Sequence, residues 1–323
     1  VSINHQFAVG TPRSMRRRQR KDRVFQGVCI AAAAATLGIL GMLLWSVVSR
    51  GFENLDGNFL TNPPSRKPKE AGFMPAMWGS VWLCVVCAVA ALPLGIGAAV
   101  FLEEYKPRGF VMRRLHAFIE VNIRNLAGVP SIVYGVLGLT VFVQMFGFFG
   151  SPLTPTLSFG DPEKWYYLQL PFGRGVLAGG LTLMLVVLPI VIISTQEALR
   201  AVPDSLRQGA LAVGATKWQM ISKMTLPAAV PGIMTGSILA MSRAIGEAAP
   251  VLVICGIVYI RFAPMNLMSD FTAMPLQIYR WASDPRDDFH AVAATGILVL
   301  LAILMVFNIT AVVIRQKFQK PLQ

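Results

Sequence analysis

The sequence predicts an all-α integral membrane protein of six transmembrane helices, and three observations predict it. Its 323 residues are 54% hydrophobic and only 14% charged, against about 25% charged in soluble domains. Six long apolar stretches can each cross a bilayer, which takes about 20 residues. Positive charge is spread unevenly over the segments that join them. The net charge of +13 is therefore a topological signal and does not imply a nucleic-acid partner.

The chain divides into a basic N-terminal segment (residues 1–24), a first helix with an outer loop (25–70), a transmembrane domain (71–314) and a short tail (315–323). The first segment carries Arg13, Arg16, Arg17, Arg18, Arg20, Lys21 and Arg23, and residues 24–49 then lack any charge. That run is too long for the apolar core of a cleavable signal peptide. Residues 71–102 hold the second helix, starting near Trp78. Pro93 and Gly95 within it predict a kink rather than a break, since partner helices can satisfy the freed backbone groups.

The third helix is expected over residues 120–147, with an outer loop to Arg174. Its first half reads Leu126-Ala127-Gly128-Val129-Pro130-Ser131. Proline removes a donor and clashes with the preceding turn, so the backbone should be irregular there. Residues 175–196, 228–260 and 291–314 hold helices four to six.

Six spans place both termini on one side. The N-terminus, the two even-numbered loops and the tail hold 18 Lys and Arg, against 9 in the three odd-numbered loops. Positive charge marks the cytoplasmic side, so both termini are expected in the cytoplasm. Trp45, Trp78, Trp82, Trp165 and Trp281 then fall toward the outer interface.

The cytoplasmic loop at residues 197–227 is long for this chain. Pro203, Asp204 and Ser205 suggest a helix start, with polar side chains able to cap orphan amides. Leu206, Ala210, Leu211 and Val213 give that helix an apolar face, and Gly214 would stop it. Its low charge argues against a basic lipid-binding helix and favours docking of a partner.

Residues 232–250 read GIMTGSILAMSRAIGEAAP. Gly232, Gly236, Ala240, Ala244 and Ala248 recur every four residues, a stripe on which a second helix can pack closely. Arg243 and Glu247 are also four apart and can reach one another. An ionisable pair in an apolar span marks a pathway by default, and the alternative is a self-neutralising pair near the membrane surface. Cys84 and Cys87 form a CxxC with no second Cys or His pair, so they read as small membrane residues rather than metal ligands.

The segment from Gln208-Gly209-Ala210 to Gly214, followed by Met224, Leu226 and Pro227, resembles the signature loop of ABC importer permeases. The family pattern is Glu-Ala-Ala, three residues, Gly, nine residues, Ile, one residue, Leu-Pro. Here the Gly and Leu-Pro match in spacing, while Gln208, Gly209 and Met224 depart from it. Three further stretches resemble the phosphate-specific permeases: Leu94 to Tyr105, Leu126 to Gly135 (LAGVPSIVYG) and Arg243 to Pro250 (RAIGEAAP). Residues 276–281 (LQIYRW) are similar to the A-type rather than the C-type subunit.

The resemblance implies a type I, MetI-like ABC importer permease fold with a cytoplasmic coupling helix, in a prokaryotic inner membrane. It implies a homologous C-type permease, two ATPase subunits and an exterior phosphate-binding protein as partners. Asp204, Leu206, Gln208, Gly209, Ala210, Gly214, Leu226 and Pro227 would form the ATPase contact. No GxxxxGK[ST] loop is present, so ATP and magnesium are expected on the ATPase subunits.

Arg243 offers a planar fork for oxyanion oxygens, with Glu247 holding it between turnovers. Ser131 and Tyr134 could add hydroxyl donors to the pathway, or could satisfy local backbone. An ABC permease for phosphonate, sulfate or molybdate is the neighbouring alternative. A membrane-embedded enzyme is the distant one, and the scattered His5, His116 and His290 offer it no HExxH site.

Overall fold

The computed structural model describes residues 12–318, apart from 108, 152–153, 156, 162–163 and 257–258. Parts of the N-terminal segment and of the tail, including His5 and Lys320, lie outside the described residues. Among the described residues five helices are long and apolar enough to span a membrane, and a bent pair would make a sixth.

The first span, α1 (Pro12–Gly51), begins inside the basic segment. Its apolar stretch is exposed along its length, and it touches the bundle chiefly along the last helix, where Thr295 donates a 2.8 Å hydrogen bond to the Gly51 carbonyl. A short α2 (Gly57–Thr61), capped by the Asp56 side chain, sits in the outer loop. The second span, α3 (Met74–Glu104), starts four residues before Trp78 and runs through Pro93 without a break.

The expected third span is not one straight helix. It is split into α4 (Phe110–Leu126) and α5 (Ser131–Gly138), bent by 106°. Pro130 cannot donate to the Leu126 carbonyl, which removes the bond that would continue the helix. That carbonyl instead accepts the Tyr134 hydroxyl at 2.8 Å. A π-helical turn at Leu139–Val143 extends α5, and Met145 and Phe146 at φ 46 and 54 end it.

The outer loop that follows carries two small antiparallel pairs. They are β1 (Gly150–Ser151) with β2 (Thr154–Pro155), and β3 (Leu157–Phe159) with β4 (Leu168–Leu170).

The centre of the molecule is α6 (Val176–Arg200), the most buried span, packed between α3 and a later helix, α9 (Leu226–Gly246). The four-residue stripe accounts for the second contact. A β-carbon on Gly236 would collide with Ser194, and Ala240 and Ala244 are buried below it. Between α6 and α9 lie α7 (Asp204–Ala212) and α8 (Lys217–Met220).

The fifth span also differs from expectation. It ends at Gly246, with Glu247 extended (ψ 113), and restarts as α10 (Ala249–Cys255). Pro250 cannot donate to Gly246, and it occupies the first turn of α10, where a missing N–H costs nothing.

Between α10 and the last span, α12 (Asp287–Phe318), residues 274–282 form a further helix, α11 (Met274–Ala282). Trp281 on α11 is a correction to the outer aromatic belt. It is buried and packs at a tilt against Phe59 and Phe73, at ring separations of 5.8 and 5.5 Å. Trp45, Trp78 and Trp165 remain exposed.

Candidate functional site

Two groups of residues singled out in the sequence lie at different levels of the bundle. The first is α7 and its surroundings, at the end of α6 marked by Arg200. Pro203 precedes the helix as expected, but no side chain caps it. The Asp204 carboxylate takes the Arg207 guanidinium instead, at 2.8 Å.

Gly214 ends this segment with φ +84, a left-handed conformation that side chains disfavour. The predicted apolar face divides in two. Leu206 and Ala210 pack inward, while Leu211 and Val213 are exposed. Gln208 and Gly209 are also exposed. An open groove of about 510 Å³ runs beside them, lined by Gly209, Ala210, Val213, Gln219, Lys223 and Met224. Leu226 and Pro227 start α9 behind it.

What holds this surface rigid was not read from the sequence. Arg207 reaches Glu104 at 3.2 Å and the Leu199 and Val202 carbonyls at 2.6 and 3.1 Å. It thereby ties α7 to the ends of both α3 and α6. Arg200 adds a second tie, to Glu103 at 2.8 Å and Glu120 at 2.9 Å. The i,i+3 spacing of Asp204 and Arg207 was visible in the sequence, whereas a partner at residue 104 was not.

The second group is the Arg243–Glu247 pair. Arg243 Nε lies 2.9 Å from Glu247 Oε1. The pair spans the end of α9 rather than one continuous helical face, because Glu247 has left the helix. The Glu247 side chain is largely buried and lines a small pocket with Ser80, Cys84, Leu183 and Ala273, while Arg243 is more than half exposed. Among the described residues the two terminal guanidinium nitrogens of Arg243 have no partner.

Ser131 is half-buried in the first turn of α5, and Tyr134 is buried with its hydroxyl on the Leu126 carbonyl. Helix α5 packs on α10, so all four residues sit on neighbouring elements. No hydrogen bond joins the Ser131–Tyr134 pair to the Arg243–Glu247 pair among the described residues.

A third feature had no precursor in the sequence reading. At the opposite end of α6 from α7 is a cavity of about 530 Å³, lined by Gln144, Ser151, Gln169, Arg174, Cys255 and Asp270, among others. No group of three or more metal-ligating side chains occurs among the described residues. The four cysteines are free, and all but Cys29 are at least partly buried.

The sequence matches, over residues 91–320, the family described as the binding-protein-dependent transport system inner membrane component. The "Probable ABC transporter permease protein YqgI" of Bacillus subtilis (strain 168) is 30% identical over 91% of this chain and 95% of that protein. The phosphate transport system permease protein PstA of Mycobacterium leprae is 34% identical over 90% of this chain and 88% of that protein. Among solved structures, an inward-facing MetNI methionine ABC transporter chain superposes with a TM-score of 0.55 at 15% identity. The match covers 76% of this chain and 95% of that one.

Proposed function

The chain belongs to the family of binding-protein-dependent transport system inner membrane components, and on that premise we propose that it forms part of the path for inorganic phosphate in an ATP-driven importer. It is a multi-pass permease subunit of the ABC importer type and not an enzyme, with the fold of type I, MetI-like permeases. As such it works with ATPase and substrate-binding subunits. The finer assignments are our reading: a C-type permease partner, two ATPases, an exterior phosphate-binding protein, and both termini in the cytoplasm.

The observation that carries phosphate is Arg243. It sits at the broken end of an apolar span, held by Glu247 through one nitrogen, with the rest of its planar fork unoccupied. Guanidinium is the side chain best matched to phosphate oxygens. Glu247 keeps the charge neutral when the path is empty, and an arriving phosphate takes up the free nitrogens. The resemblance to PstA proteins supports the same substrate.

Coupling is assigned to α7. The groove beside Gly209 and Val213 receives a side chain of the ATPase, and Arg207 passes the motion to α3 and α6. ATP and magnesium are bound by the ATPase subunits. The Ser131 hydroxyl adds a donor to the path, whereas the Tyr134 hydroxyl holds the bend between α4 and α5.

Radiolabelled phosphate uptake by membranes containing the assembled importer tests the substrate. Arg243→Lys keeps the charge and loses the fork, so it should assemble normally and take up phosphate poorly. Wild-type uptake by that variant, at normal complex levels, would overturn the role given to Arg243.

A further inference from the structure

The cavity at the far end of α6 is built from two loops held in register by backbone bonds. Gly175 and Asp270 form an antiparallel bridge, and the Val176 and Leu177 amides donate to the Ser269 and Leu267 carbonyls at 3.1 and 2.8 Å. This register brings Arg174 and Asp270 to one wall. Among the described residues, nevertheless, their side chains form neither an ion pair nor a hydrogen bond.

Behind the wall, at Cys255, lies a second cation. The Nε and Nη2 atoms of Arg280 are buried without any partner, and Arg280, like Arg174 and Asp270, lies within electrostatic range of Cys255. Burial lowers the pKa of Arg280 below the usual guanidinium range. A desolvated guanidinium with unfilled donors is unfavourable unless an anion compensates it. The amides of Gln144 and Gln169 add neutral donors on the remaining walls.

Two cations and one carboxylate do not suit every anion. A fully deprotonated oxyanion gains from Arg174 and is repelled by Asp270. An oxyanion that keeps a proton can donate that proton to Asp270 in a hydrogen bond. Phosphate retains a proton at neutral pH and sulfate does not. A site built to accept a hydrogen bond rejects the analogue that cannot donate one, because its acceptor is left unpaired.

We propose that this cavity is an entry site for hydrogen phosphate, in which Arg174 binds the anionic oxygens, Arg280 supplies positive potential from behind Cys255, and Asp270 accepts a hydrogen bond from the phosphate hydroxyl. The inference rests on the phosphate-import reading above. Cys255 ends α10, and Glu247 caps the end of α9 two residues before α10 begins, so one short helix of about 10 Å at 1.5 Å per residue separates the entry site from the Arg243–Glu247 pair. Phosphate thus meets a selective site first and the arginine gate second.

The test is equilibrium binding of radiolabelled phosphate to the permease–ATPase complex in lipid nanodiscs, with sulfate as competitor and uptake measured in parallel. Asp270→Asn should lose about tenfold in preference for phosphate over sulfate, and Asp270→Glu should restore most of it. Arg174→Gln should weaken binding of both anions about tenfold.

Wild-type affinity and selectivity in Asp270→Asn and Arg174→Gln would overturn the entry site while leaving phosphate import standing. Absence of phosphate uptake by the wild-type complex would instead overturn the function itself. If a variant failed to assemble, Gln144→Trp fills the same cavity from another element and should lower binding equally; unchanged binding in it would also overturn the proposal.

Discussion

Arg207 Nη2 lies 3.2 Å from Glu104 Oε1, joining the start of α7 to the end of α3 across 103 residues of sequence. The Glu104 side chain is almost fully buried and that of Arg207 is 18% exposed. The same guanidinium also satisfies two carbonyls where α6 runs out. One side chain thus fastens α7 to the two spans at the centre of the bundle.

Removing it should uncouple the importer before it unfolds it. Arg207→Met leaves Glu104 buried without its counter-charge, a loss of roughly 3–5 kcal/mol for a buried pair broken from one side. The expected result is a permease that still inserts but no longer stimulates ATP hydrolysis. Glu104→Gln, which keeps a hydrogen bond to Arg207, should retain most of the stimulation. ATPase rate per recovered complex is the readout, and equal rates in both variants and the wild type would contradict the tie.

Gly214 gives an independent test of the same surface. Its φ of +84 disfavours any β-branched residue, with a strain of about 1–2 kcal/mol for a left-handed L-residue. No neighbouring atom lies near an added β-carbon, so the strain acts on the loop and not on packing. Gly214→Val should therefore insert normally and bind the ATPase weakly, as measured by co-purification.

The contact between α6 and α9 should be sensitive to volume. At Gly236 a side chain would collide with Ser194, and overpacking of a close contact costs about 1–3 kcal/mol. Gly236→Leu is expected to lower the thermal midpoint of the purified complex, with Gly236→Ala giving a smaller shift in the same direction. An unchanged midpoint for both would mean that the helices separate there at little cost.

The Arg243–Glu247 pair separates transport from insertion. Replacing both residues by apolar ones of similar size should preserve assembly, since removing both partners of an ion pair together leaves no uncompensated charge, and should abolish phosphate uptake. Uptake at the wild-type rate in that double variant would reduce the pair to a structural neutralisation.

Composition and charge placement were enough to identify a multi-pass membrane protein, and hydrophobic runs located the spans that became α1, α3, α6, α9 and α12. Local chemistry also marked the ends of α7, at Pro203 and Gly214, and the stripe through Gly236 and Ala240 that meets α6. These features depend on neighbours within a turn or two, so the residue types alone determine them.

Only the tertiary structure decided the rest. Pro130 announced an irregularity, but the 106° bend depends on how α5 packs against α10. Trp281 looked like an interfacial tryptophan until α11 turned it onto Phe59 and Phe73. Glu104 meets Arg207, and Asp270 comes beside Arg174, because distant helix ends are brought together by packing. No local periodicity encodes such pairs: their separation in sequence exceeds the reach of any single helix, and the packing of α3, α6 and α9 sets which loops share a wall.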